Sequence, residues 1–98
     1  MNCASVNLPT SAATLKSLIG ANAPNEASLL IVQCPSANAG ICYFGDSAIQ
    51  PFELAAGDPF YYVPGEFEGG RINLNELYFK GSSGDKLSVM WVQYGEES

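Results

Sequence analysis

The sequence predicts an all-β fold, a single β-sandwich of about six to eight short antiparallel strands, and three observations predict it. From Ser28 onward, short β-branched and aromatic runs alternate with clusters of Gly, Pro, Asn, Asp and Ser, which is strand and turn grammar. Ten glycines and six prolines punctuate the chain too closely for a helical bundle. The run Leu87 to Tyr94 carries apolar side chains on both faces, with Leu87, Val89 and Trp91 on one and Met90, Val92 and Tyr94 on the other. Such a strand is buried on two sides, inside a two-layer sandwich or against another protein surface.

Residues 1–27 are rich in Ala, Ser, Asn and Thr, and form a candidate N-terminal arm to a domain of residues 1–98. Within them, Leu15, Leu18 and Ile19 fall at helical spacing, so Thr14 to Ile19 can form a short helical turn, with Ser11 available as a cap. Gly20 and Pro24 stop it. Ser28 to Cys34 is apolar on both faces and suits a central strand. Pro35 to Gly40 is turn chemistry, Ile41 to Phe44 is the next strand, and the two are expected to pair as an antiparallel hairpin.

Gln50 to Leu54 is a short strand that Pro51 confines to an edge or a strand start. Ala55 to Pro59 is a tight turn, with Gly57 free to take a positive φ and Pro59 opening the strand Phe60 to Val63. Pro64 to Gly70 is the longest loop of the second half. Arg71 to Asn75 is a brief turn or strand. Leu77 to Lys80 then folds back on Leu87 to Tyr94 across a glycine and serine loop, as a second expected hairpin.

Composition narrows the functional classes. Four Lys and Arg stand against ten Asp and Glu, a net charge of -6, which disfavours phosphate neutralisation and so nucleic acid as a partner. Charged residues make up 14% of the chain against about 25% in ordinary soluble domains, while aromatics reach 11%. Interface centres lose charge and gain aromatics in this way, although a surface of Ser, Asn, Gln and Gly accounts for the low charge equally well; the expected partner is a protein or a neutral ligand. A chain of this size buries roughly 64% of its unfolded surface, and a neighbouring subunit would add to that thin core. No run approaches the ~20 apolar residues of a membrane span, and the first residues lack the basic start and apolar stretch of a secretory signal, so synthesis in a cytosol is expected. Cys3, Cys34 and Cys42 form no Cys-x-x-Cys clamp; Cys34 and Cys42 close apolar segments that could be neighbouring strands, so a bridge between them is geometrically possible, and buried free thiols are the favoured reading.

The chain has no histidine, which removes the commonest general base and metal ligand and every Ser-His or Cys-His arrangement. Carboxylate chemistry would have to come from Glu53, Asp58, Glu66, Glu68 or Asp85, most of them in glycine-rich turns where solvated acids are the rule. Asp46-Ser47 and Gly84-Asp85 lack the alternating oxygen ligands of a calcium loop, and Gly65, Gly69 and Gly70 lack the spacing of a phosphate cradle. No catalytic residue, metal ligand or cofactor is therefore expected. About half of the strand aromatics should point inward, Trp91 among them; the rest suit a subunit contact or a sugar-stacking platform.

The pieces from residue 28 to 94 resemble the small β-sandwich virion proteins of tailed bacteriophages. The resemblance rests on Leu29-Leu-Ile-Val-Gln33, Ile41-Cys-Tyr-Phe-Gly-Asp-Ser47, Pro51-Phe-Glu-Leu-Ala-Ala-Gly-Asp-Pro-Phe60 and Leu77-Tyr-Phe-Lys-Gly-Ser-Ser-Gly-Asp85 leading into a hydrophobic last strand. It implies a jelly-roll sandwich in which Gly45, Gly57, Gly81 and Gly84 hold turns while Leu54 and Val89 sit in the core. It further implies a non-enzymatic capsid decoration or cement protein, homotrimeric, made in the host cytoplasm and bound to the major capsid protein or another virion protein. The alternative is a tail or fibre component that binds a host glycan through exposed aromatics.

Overall fold

The computed structural model describes residues 2–21, 23–62 and 72–94, and of residues 59–62 the backbone. In chain order the elements are β1 (Asn2–Asn7), β2 (Ala13–Thr14), α1 (Leu15–Ile19), β3 (Glu26–Gln33), β4 (Cys42–Gly45), β5 (Phe52–Leu54), β6 (Pro59–Tyr62), β7 (Ile72–Asn73), β8 (Tyr78–Lys80) and β9 (Lys86–Gln93). They build two antiparallel sheets. The first runs β1-β9-β3-β6, with β7 beside β3 on the same side as β6, and the second runs β2-β8-β4-β5.

Period-two alternation explains which residues the sheets enclose. On β9, Leu87, Val89 and Trp91 point inward and are buried; on β3, Leu30 and Val32 do, with Cys34 continuing the row. From the second sheet come Cys42, Phe44, Leu54 and Phe79. Phe79 has no exposed surface and stacks on Phe44 at 5.6 Å between ring centroids. These residues belong to one continuous core. A register shift between Ala27 and Leu29 lets both Ala27 and Leu30 face inward although they are three apart, as a bulge does.

Both expected hairpins fail. Ser28–Cys34 and Ile41–Phe44 were read as neighbours, yet β3 pairs with β9, β6 and β7, whereas β4 pairs with β5 and β8. Likewise β8 lies in the second sheet and β9 in the first. In each case the linking loop crosses between layers, because both strands have an apolar face to bury and facing each other across the core satisfies both. The turn at Ala55–Asp58 also crosses, and there the reading holds: Gly57 has φ 89° and Pro59 opens β6. Val63, Gly65, Glu66, Glu68 and Arg71 lie outside the described residues.

The N-terminal stretch, where the sequence allows an arm, places β1 along β9 in an unbroken six-residue register, and Val6, Leu8 and Leu15 join the core. The helical turn forms over Leu15–Ile19, but its cap is Thr14 in place of Ser11. Thr14 Oγ1 accepts the Ser17 N–H at 3.2 Å, and Gly20 ends the turn at φ 102°. So short a helix persists only through tertiary contact. Its first amides supply that contact by donating to the Leu77 and Leu74 carbonyls.

One end of the molecule is fastened by Asp85, which the sequence places among solvated turn acids but which is 5% exposed. Its Oδ1 and Oδ2 accept the N–H groups of Ala39 and Gly40 at 2.9 and 2.8 Å, and its own carbonyl accepts from Leu8. Beside it, Asn38 donates to the Lys86 carbonyl and accepts the Lys86 N–H, imitating a strand partner. The absence of a side chain at Gly40 lets Ser82 approach closely, since a Cβ there would lie 2.5 Å from Ser82 Oγ and the serine would have to turn away.

Cys34 and Cys42 are fully buried free thiols. Burial, and then the nearby Cys34, push the Cys42 thiol from 9.0 up to about 12. The unfolded chain therefore sheds this proton at lower pH than the folded one. Stability from this group is complete below pH 9.0 and declines as pH rises toward 12. Urea midpoints measured across that window are expected to fall for the wild type and to fall less steeply for Cys42→Ala.

Candidate interaction surface

The side of the first sheet turned away from the core is the most distinctive surface of the protein. In an antiparallel sheet, directly opposed residues share a face, so the register arranges this surface in cross-strand rows. One row is Cys3, Met90 and Ile31; the next is Ser5, Ser88 and Gln33; Val92 and Leu29 oppose each other further along. An ordinary solvent-facing sheet surface would be polar. Here Leu29, Ile31, Met90 and Val92, all apolar, are half-buried. Cys3, Ser5, Ile31, Gln33, Ser88 and Met90 line an open groove of about 470 Å³, and among the described residues no charged one lines it.

Cys3 is the groove's reactive group, and it is an exposed free thiol. Among the described lining residues none is charged, and most are apolar, so the groove suits apolar contact. The sequence located the face through the double-sided pattern of Leu29 to Val32 and Leu87 to Tyr94. It did not locate the contribution of β1, whose outward Cys3 and Ser5 give only a faint alternation.

Of the acids weighed for carboxylate chemistry, Glu53, Asp58 and Asp85 are among the described residues. Glu53 and Asp58 are exposed, and Asp85 spends both oxygens on backbone amides. Among the described residues, no three His, Cys, Asp or Glu side chains gather as a metal site. Asp46 is likewise committed to its own turn. Its Oδ1 accepts the Ile49 and Ala48 N–H groups, and these bonds hold the carboxyl below its ordinary range.

The described aromatics divide between core and surface. Phe44, Phe79 and Trp91 are buried, and Tyr43 and Tyr78 are half-buried. Phe52 on the edge strand β5 is 61% exposed, with one ring face stacked on Phe44 at 5.4 Å, and Ile49 nearby in sequence is 63% exposed. No helix among the described residues is long and apolar enough to cross a membrane. Comparison of the chain with family models, with curated proteins and with solved structures finds no match.

Proposed function

We propose that this chain is a non-enzymatic structural protein of a bacteriophage virion, a capsid decoration or cement protein that docks between capsid subunits through the outward face of its first sheet. The observation that carries the reading is the groove around Ile31 and Met90 on that face, whose described lining is mostly apolar and holds no charged side chain, a surface suited to protein burial. The virion setting rests on the sequence resemblance over residues 28 to 94.

The strand orders support a jelly-roll fold. Counting β6 and β7 as one broken strand, the chain alternates between sheets so that strands 1, 8, 3 and 6 share one sheet and 2, 7, 4 and 5 the other. Viral capsid and lectin domains both use that arrangement, so the fold alone does not choose between them. Assembly as a homotrimer belongs to the same proposal, since linked weak contacts on a repeated lattice gain strength by avidity.

Exposed Phe52 favours the second reading, a tail or fibre component stacking on a host glycan. The two are separated by one experiment. A decoration protein is expected to co-sediment with capsids and raise their resistance to heat. Binding to glycan arrays or host cells without any effect on capsid stability would replace the first reading with the second.

A further inference from the structure

Cys34 and Cys42 sit at the same end of the molecule in opposite sheets, and backbone connections fix this. Leu54, the strand partner of Cys42, is joined to Pro59, the partner of Gln33, by the short turn Ala55–Asp58. Within that turn the Gly57 N–H donates to the Cys34 carbonyl. Both side chains point inward: Cys34 extends the buried row of Leu30 and Val32, and Cys42 begins the row continued by Phe44. Both belong to the same core, and the charge of one thiolate would be felt by the other. Asn38 closes the loop between them, its Nδ2 lying 3.0 Å from Cys34 Sγ while also holding the Lys86 carbonyl.

We propose that Cys34 and Cys42 are a latent redox staple: a small disulfide such as oxidised glutathione converts them into a bridge that ties the two sheets together at this end. The step is thiol–disulfide exchange. One cysteine thiolate attacks the glutathione S–S bond, forming a mixed disulfide and releasing one glutathione thiolate. The second cysteine, as thiolate, then displaces the other glutathione. Overall the protein loses two protons and two electrons, and one glutathione disulfide becomes two thiols. Burial and the high thiol pKa make the native reaction slow, and it requires the Asn38 loop to lift. A protein made in a reducing cytoplasm and working on a released particle would meet such an oxidant after export, although the chemistry of the pair stands without that setting.

The test uses the full chain with Cys3→Ser, which removes the exposed thiol. Equilibrated with oxidised glutathione at pH 8 or so, with dilute urea to allow local opening, this variant is expected to become two hydrogens lighter. Peptide mapping should find Cys34 linked to Cys42, and the urea midpoint should rise and return to its starting value with dithiothreitol. Further removal of Asn38 (Asn38→Ala) should speed bridge formation about tenfold or more, because its side-chain bonds to Cys34 and to both backbone groups of Lys86 are lost together. Two free or glutathionylated thiols after equilibration, or a bridge that lowers the midpoint, would overturn the proposal. Neither result would bear on capsid binding, so this inference and the proposed function fail separately.

Discussion

Ile31→Glu and Met90→Lys are each expected to weaken attachment to the assembled particle by 30-fold or more, about 2 kcal/mol, while leaving the isolated chain folded. The asymmetry follows from where these side chains stand. They oppose each other across β3 and β9 on the outward face, so a charge placed on either remains in water in the lone protein. On docking, the same charge must be stripped of water against an apolar partner without a counter-ion. Both side chains are half-buried against each other, so each variant should also lose up to about 1 kcal/mol of stability, a cost small enough to leave the chain folded. Sedimentation with capsids reads the first effect and denaturation the second. Unaltered binding by both variants would move the docking surface elsewhere.

Asp85→Ala is expected to cost about 2–4 kcal/mol of folding stability, from two amide donors that lose a charged acceptor at a buried position. The loss spreads because Asp85 gathers three chain segments: the loop through Ala39 and Gly40, the start of β9, and the segment after β1 through Leu8. Asp85→Asn should be milder, since its side-chain oxygen can replace one of the two acceptors while its NH₂ meets the other donor. Urea denaturation of the two variants checks both the size and the order. Equal stability of wild type and Asp85→Ala would mean that Asn38 alone, through its paired bonds to Lys86, fastens this end.

The strands were more legible in the sequence than their partners. Leu30 and Val32, or Leu87, Val89 and Trp91, announce an inward face because side chains alternate, and that rule is local. Pairing is not local. Turn grammar between Cys34 and Ile41, and between Lys80 and Lys86, suggested hairpins, because a short loop between strands favours adjacency in one sheet. In each case burial of apolar faces across the core prevailed over adjacency. The pairing of β1 with β9 joins residues at opposite ends of the chain, and Asn2–Asn7 holds only Val6 as a fully buried anchor, so nothing local marks it as a sheet strand.

The candidate surface was legible for a related reason. A strand that is apolar on both faces cannot be satisfied by one core, so Leu29, Ile31, Met90 and Val92 carried the signal before any fold was known. Asp85 was not legible, because a Gly-Asp turn reads as solvated until Ala39 and Gly40, some 45 residues earlier in the chain, present their amides to it.

Oxidative footprinting of Met90 tests the central claim most directly, since a thioether on the outward row reports whether neighbouring protein lies over it. The expected result is ready sulfoxide formation in the isolated chain and strong protection in the assembled particle, with Met90 more protected than exposed side chains elsewhere on the molecule. Equal oxidation of Met90 in both states would contradict a buried outer sheet face.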